Sequence, residues 1–325
     1  MYDVITFGSA TWDTFLDLEK PYFVRSKRFI SSKGLCFNLG SKRDVSNINF
    51  ASGGGGTNTS VSFEKQGFKT AYCGAVGDDV FGNEVINRLK ESGIDCSLVF
   101  KNKLKPTNYS VILDSGSDKD RTILAYRGAS EILSEKDIPW SKLRAKWFYL
   151  APLSGKLANI TKDIVDFAKI NGIKIAFNPS NSQLGLKDLR KIIDKVDVLL
   201  INQEEASILT EIPFKKEAEI FKAIDKMCPG IAIMTKGANG VIVSDGNYLY
   251  KAKPGKIKIV DRTGAGDSFG SGFVSGLIRF EGDIENAIQL GIANANSCLQ
   301  EQGAKNGLLE KKDKFKKVKI IKSKL

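Results

Sequence analysis

The residues best suited to chemistry lie in one short run, Val260-Asp261-Arg262-Thr263-Gly264-Ala265-Gly266-Asp267-Ser268-Phe269. A β-rich segment, Lys256–Val260, leads into a glycine turn. A helical pattern follows, with Phe269, Phe273, Leu277 and Phe280 on one face. Gly270, Gly272 and Gly276 keep the rest of that helix small, so its backbone can pack close to its neighbours. The first N–H groups of a helix have no intrahelical partner, and the helix dipole adds partial positive charge there. With no side chains at Gly264 and Gly266 in the way, those amides form an anion site. A carboxylate in the same turn, Asp267, can take a proton from a hydroxyl while the amides of Gly264, Ala265 and Gly266 hold phosphoryl oxygens. That is the layout of phosphoryl transfer. The other reading of Asp267 is a capping residue after a tight glycine turn, and residue types alone do not separate the two.

A second chemical segment is Gly53-Gly54-Gly55-Gly56-Thr57-Asn58, just before a helical pattern. Four glycines let the backbone approach a ligand, and Asn58 can both give and accept hydrogen bonds, as sugar hydroxyls require. By itself the run reads equally as a flexible turn. No Gly-Lys-Ser/Thr follows it, so it is not a Walker A loop. Nor does it directly follow the first strand, as a dinucleotide-binding loop would.

The composition closes other routes. The chain has no histidine, which removes Ser-His-Asp chemistry and His-ligated metals and leaves proton transfer to Asp, Glu, Lys, Tyr or Cys. The cysteines (Cys36, Cys73, Cys96, Cys228, Cys298) form no CxxC pair, the pattern of reduced thiols rather than of a disulfide framework or a zinc site. No apolar run is long enough to span a membrane. The start, Met1-Tyr2-Asp3-Val4, lacks the basic opening of a signal peptide, so a cytoplasmic protein is expected. Net charge is +12, but the lysines are spread along the chain. The one cluster, Lys311–Lys317, reads as a solvated tail, and nucleic acid is not the expected partner.

These groups must be held by an α/β scaffold. Val4–Gly8, Ala71–Val76, Trp147–Leu150, Lys174–Phe177, Val198–Ile201 and Ile231–Met234 read as strands. Helical patterns lie between them, at Thr57–Gln66, along Phe81, Val85 and Leu89, and over Leu157–Ile170. This alternation predicts a mostly parallel sheet covered on both sides, a three-layer α/β core in a single domain over residues 1–325. Two stretches break the rhythm: residues 14–52, rich in β-branched and aromatic residues, and the hairpin pattern at 107–126 with its turn at Asp114–Ser117. Together they predict a small β-sheet lid.

At this point a family resemblance becomes clear. The stretch from Gly53 through Gly67-Phe68, Gly74-Ala75-Val76-Gly77-Asp78-Asp79, Phe81-Gly82 and Gly93-Ile94-Asp95 resembles the first signature of the PfkB (ribokinase-type) carbohydrate kinases, and Asp261–Phe269 resembles the second. Asn202-Gln203-Glu204-Glu205 resembles the family's Asn-x-x-Glu motif, and Thr235-Lys236-Gly237-Ala238-Asn239-Gly240 its nucleotide loop. Order and spacing agree over nearly the whole chain.

The resemblance implies ATP-dependent phosphorylation of a primary hydroxyl of a sugar or nucleoside, with Asp267 as base and magnesium as cofactor. It implies that Asp13, Gly54, Gly55 and Asn58 meet the acceptor. Asn202 is expected at the nucleotide phosphates, and Glu205 at magnesium through water. Thr235, Gly237 and Gly240 would lie under the nucleotide, and Asn294 beside the adenine. Asp261 and the Thr263 carbonyl would bind a monovalent cation such as potassium. Outside the family context, Asp13 is an ordinary loop residue, Glu205 a helix-start acid and Asn294 a helix-surface amide. A homodimer through the lid is a further expectation.

The chain also departs from the family. Ribokinases proper carry Lys where this chain has Gly55, and a Glu near the strand end that here reads Tyr149-Leu150-Ala151-Pro152. Tyr126-Arg127 resembles the pair that meets the sugar acid in ketodeoxygluconate kinases, which keeps that acceptor class as an alternative. A nucleotide-binding sensor without turnover is another.

The missing lysine at position 55 predicts a neutral acceptor rather than a sugar phosphate. Asp13→Ala should raise the acceptor KM and leave the ATP KM nearly unchanged, at a cost of about 1.5–3 kcal/mol of acceptor binding for a lost charged hydrogen bond. Steady-state kinetics in both substrates checks this, and weakened ATP with unchanged acceptor would misplace the whole acceptor site.

Overall fold

The computed structural model describes residues 1–27, 33–114 and 121–325. In chain order the strands are β1 (Tyr2–Phe7), β2 (Thr11–Leu18), β3 (Tyr22–Arg25), β4 (Lys33–Cys36), β5 (Val45–Gly53), β6 (Thr70–Gly77), β7 (Val99–Asn102), β8 (Asn108–Asp114), β9 (Arg121–Tyr126), β10 (Ala145–Leu150), β11 (Lys174–Phe177), β12 (Val198–Asn202), β13 (Ile231–Thr235), β14 (Val241–Ser244), β15 (Tyr248–Ala252) and β16 (Ile320–Lys324). The helices are α1 (Gly55–Lys65), α2 (Val80–Glu91), α3 (Gly155–Asn159), α4 (Thr161–Ile170), α5 (Asn181–Leu184), α6 (Leu189–Ile193), α7 (Gln203–Thr210), α8 (Glu217–Met227), α9 (Ala265–Arg279) and α10 (Ile284–Cys298).

Ten strands form the main sheet in the order β16-β15-β14-β13-β12-β11-β10-β1-β6-β7. From β7 to β13 the pairing is parallel, and β14, β15 and β16 close the sheet in antiparallel fashion. Parallel strands need crossover helices on both faces, so both faces are apolar. One face packs Ile5, Phe148, Ile175 and Leu199 against Leu157, Ile164, Val165 and Ile192. The other packs Tyr149, Leu200 and Ile233 against Phe63, Phe269, Phe273 and Ile288. This is the three-layer core that the alternation predicted.

The lid is a separate four-stranded sheet in the order β5-β2-β8-β9, with β3 and β4 as a further two-stranded ribbon. It begins at Thr11, earlier than expected, so Asp13 lies within a lid strand and is buried rather than sitting in a loop. The ladder places Asp13 on the same face as Ala51 and Ser110. Trp12, Thr14, Phe50, Val111 and Leu124 lie on the opposite face. Phe50 and Leu124 are exposed there, while Trp12 is covered by Phe81 and Arg88 of α2. The β8–β9 hairpin is present. Of its expected turn, Asp114 is seen and residues 115–117 lie outside the described residues.

Two expectations need correction. The helix expected over Leu157–Ile170 is two helices that meet at Ile160. There the Thr161 hydroxyl donates back to the Ala158 carbonyl (2.6 Å) and accepts from Gln183 Nε2 (2.9 Å), and such local side-chain bonds compete with a continuous helix. The β-rich run Lys256–Val260 forms no strand, and Val260 is exposed. Strand β16 occupies the edge of β15 that this run would have needed.

All the cysteines are free thiols. Among the described residues no helix is long and apolar enough to cross a membrane.

Candidate active site

Helix α9 is preceded by its cap residue Gly264, whose φ of 74° lies in the left-handed region that favours glycine. Asp267 is therefore the third residue of the helix and not its cap. The helix has no side-chain cap, and the Asp267 carboxylate is engaged elsewhere. Asn58 Nδ2, on α1, donates to Asp267 Oδ2 at 2.9 Å. The capping alternative thus fails on geometry, and the two chemical segments of the sequence meet in one hydrogen bond.

Because the amide nitrogen of Asn58 must face the carboxylate, its Oδ1 points the other way. That oxygen is buried and has no partner among the described residues. An unpaired buried acceptor is costly unless a ligand supplies a donor. Gly55 explains why a side chain is absent beside them. A Cβ there would lie 3.4 Å from Asp267 Oδ1, an ordinary contact, and 3.1 Å from Ala151 Cβ, so position 55 adjoins the carboxylate directly. Gly54 caps α1 at φ 97°, and a Cβ on Gly53 would overlap the Asp13 carboxylate. Asp13, Gly54, Gly55 and Asn58, the residues expected at an acceptor, are thus brought close together.

On the other side of Asp267, Gly264, Ala265 and Gly266 line a cleft of about 250 Å³ with Asn202, Glu205, Thr235 and Arg262. Asn202 and Glu205 form a reciprocal cap on α7. The Glu205 N–H donates to Asn202 Oδ1 (2.8 Å), and the Asn202 N–H donates to Glu205 Oε2 (3.0 Å). The Asn-x-x-Glu motif is thus also the device that fixes both side chains at the cleft. Burial raises the Glu205 pKa, against the lowering effect of its bonds with Asn202. Gly237 and Gly240 bound the short turn after Thr235, where the Lys236 N–H donates to the Gly240 carbonyl (2.8 Å).

Asp261 is buried. Its Oδ1 accepts from Thr263 N (2.9 Å) and Oγ1 (2.7 Å), and its Oδ2 from Gly303 N (2.9 Å). The Thr263 carbonyl lies 3.8 Å from Cys298 Sγ.

Asn294 is not brought to the cleft. It is fully buried, and its amide donates to Ser62 Oγ (3.0 Å) and the Ser268 carbonyl (2.8 Å) while accepting from Leu309 N (2.9 Å). Its polar atoms are engaged in bracing α9 against α1.

Sequence reasoning missed Lys305. Its Nζ donates to the Ser52 carbonyl (2.8 Å), Ser52 Oγ (2.7 Å) and Thr57 Oγ1 (2.8 Å). Burial pushes its pKa down to about 7, against the pull of Asp13 and Asp267, and Arg88 adds to the lowering. A lone lysine after the last helix carries no periodic or motif signal. Arg262 stood in plain view inside the second signature but had no assigned role.

Burial also raises the Asp267 pKa, with the Asn58 bond and the Lys305 charge acting the other way.

A half-buried carboxylate with the free amides of a helix N-terminus on one side and a polar, glycine-rich turn on the other suits transfer of a phosphoryl group between two ligands. The pfkB family carbohydrate kinase model matches residues 31–312, and the chain belongs to that family. A ribokinase from Lactococcus lactis is 31% identical over 277 residues, 82% of this chain and 87% of that protein. The fold is shared with the crystal structure of a ribokinase from Thermotoga maritima (TM-score 0.77, 20% identity, 96% of this chain and 97% of that one). It is shared as well with an Arabidopsis thaliana ribokinase complexed with ribose and ATP (TM-score 0.76, 21% identity, 96% of each).

The raised pKa of Asp267 has a stability consequence. The folded carboxyl holds its proton to higher pH than the unfolded one, so stability falls as pH rises from the unfolded pKa through the folded one. The cost is fully present above that window. Asp267→Asn removes it, so at neutral pH the variant should melt at or above the wild-type temperature, and its advantage should shrink as the buffer is made acidic. Melting curves across acid and neutral pH check this, and a variant less stable at neutral pH than in acid, relative to wild type, would contradict it.

Proposed function

We propose that this chain transfers the γ-phosphoryl group of ATP to a primary hydroxyl of a neutral sugar or nucleoside, with Asp267 as the general base. The observation that carries the reading is the Asn58–Asp267 hydrogen bond, because it joins the acceptor loop to the anion-binding start of α9. In this reading the acceptor hydroxyls donate to the unpaired Asn58 Oδ1 and to Asp13. The reacting hydroxyl gives its proton to Asp267. Phosphoryl charge collects on the amides of Gly264, Ala265 and Gly266, where the helix dipole favours it. The lid sheet excludes water from the transfer.

ATP as donor is supported by the solved relative that holds it with ribose. Glu205, half-buried at the cleft, suits a magnesium ion bound mostly by phosphate oxygens and water. When bound, that ion spreads the charge of the phosphates. Thr235, Gly237 and Gly240 would support the nucleotide, and Asn202 its phosphates. For a monovalent cation the fitting donors are the buried Asp261 carboxylate and the Thr263 carbonyl, both hard oxygen ligands.

The reading is tested with a panel of sugars, sugar acids, sugar phosphates and nucleosides, read as ADP release. A neutral sugar or nucleoside should be the best acceptor, and a phosphorylated sugar as the best acceptor would reject the neutral pocket. With that acceptor, Asp267→Asn should lower kcat by roughly two orders of magnitude or more while ATP still binds. A variant that keeps more than half the wild-type kcat would remove Asp267 from the mechanism.

Rates should also be higher in potassium than in a potassium-free buffer of equal ionic strength, because an ion at Asp261 and Thr263 would shape the turn that leads into Gly264. Equal rates in the two buffers would count against the cation site.

A further inference from the structure

Of the four glycines, Gly53 ends β5 and Gly55 and Gly56 open α1, so the junction between strand and helix turns at Gly54, and with no side chains there it takes a neighbouring group to tie the two elements together. Lys305 is placed to do so. An ammonium has three N–H donors, and the Ser52 carbonyl, Ser52 Oγ and Thr57 Oγ1 accept at 2.8, 2.7 and 2.8 Å. No proton is left for a ligand, so Lys305 acts through the groups it holds. Thr57 has one hydroxyl proton. Because Thr57 Oγ1 accepts from Lys305, that proton is directed at the Gly53 carbonyl (2.7 Å), with the Gly54 carbonyl at 3.1 Å. The ammonium thereby locks the hydroxyl that closes the glycine turn.

Both ends of this bridge lead to acceptor groups. Ser52 pairs with Trp12 in the β2–β5 ladder, one residue from Asp13. Thr57 precedes Asn58, whose amide holds Asp267. The segment that carries Lys305 also reaches the turn before α9, because the Gly303 N–H donates to Asp261 Oδ2 and the Leu299 carbonyl accepts from Val260 N.

We propose that Lys305 is the positioning residue of the acceptor site, tying lid strand β5 to the start of α1 so that Asp13 and Asn58 face one ligand. A buried charge is a poor way to gain stability, since apolar packing of similar volume does as well. Directional control of a side-chain-free loop is something apolar packing cannot supply. The proposal rests on the phosphotransferase reading for its kinetic consequence but not for its structural one.

The test compares wild type, Lys305→Met and Lys305→Arg as full chains. In ligand-free protein, hydrogen–deuterium exchange of peptides covering residues 52–58 should be about tenfold faster in Lys305→Met, while β13 is unchanged. In kinetics the acceptor KM should rise about tenfold or more with the ATP KM within about twofold, a split that general destabilisation does not give. Lys305→Arg, which keeps the charge and donors, should recover part of both effects. Should Lys305→Met fail to fold, Thr57→Val removes the acceptor at the other end of the bridge and should show the same split. Unchanged exchange at 52–58 in a folded Lys305→Met, or an ATP KM that rises while the acceptor KM stays put, overturns the proposal. If wild type phosphorylates no member of the panel, the kinase reading falls, and the exchange comparison still decides the role of Lys305.

Discussion

The site is organised around a half-buried carboxylate at the start of α9, Asp267. Removing a carboxylate from water costs several kcal/mol even after relaxation, and taking away the partner of a buried charge costs about 3–5 kcal/mol. Around Asp267 the compensation is assembled from distant parts of the chain: the Asn58 amide from α1, the charge of Lys305 from the last segment, and the dipole of α9 itself. None of these groups is adjacent in sequence. The parallel sheet helps bring them together, because the loops that leave its strands do so at the same edge.

The packing beneath the site serves that geometry. Gly270 lies where a Cβ would strike the Tyr149 hydroxyl and Leu200, and at Gly272 a Cβ would come within 3.0 Å of Asn294 Cβ on α10. The close approach of α9 to the sheet and to α10 is therefore a matter of missing side chains. Asn294 then fixes the sliding coordinate, because its amide spans Ser62 of α1 and the Ser268 carbonyl of α9. Ser271 Oγ adds a bond to Ser62 Oγ at 2.7 Å. The two helices that carry Asn58 and Asp267 are thus pinned together one turn below the bond those residues share.

What could be read from the sequence follows the same division. The parallel strands are short, apolar and bounded by turn residues, so Trp147–Leu150 or Val198–Ile201 could be placed almost to the residue. Asp267 and Asn58 stand in glycine-rich runs whose physics is local. Lys256–Val260 misled because its β-forming residues had no free sheet edge to join. The break at Ile160 was hidden because its cause, Gln183 reaching Thr161, is twenty-two residues away. The packing role of Asn294 was hidden for a related reason: an amide on a helix looks the same in sequence whether it faces a ligand or a neighbouring helix. Lys305 was invisible since its importance lies in three oxygens contributed by Ser52 and Thr57.

Lys305 also bears on the charge of the acceptor pocket. Gly55 lacks the lysine that ribokinases carry, and a cation nearby would seem to restore it. The two cases differ in what the ammonium can reach. A lysine at position 55 would project from the loop toward the ligand. The ammonium of Lys305 has its three protons turned to protein oxygens, and an ammonium so engaged has no geometry left for a phosphate, which demands several donors at once. Its field reaches the ligand only as a background that offsets part of the charge of Asp13 and Asp267. In the proposed reading, what would face an acceptor directly is a carboxylate at Asp13 and the Asn58 amide oxygen, which has no partner among the described residues, and both favour hydroxyl donors over anions.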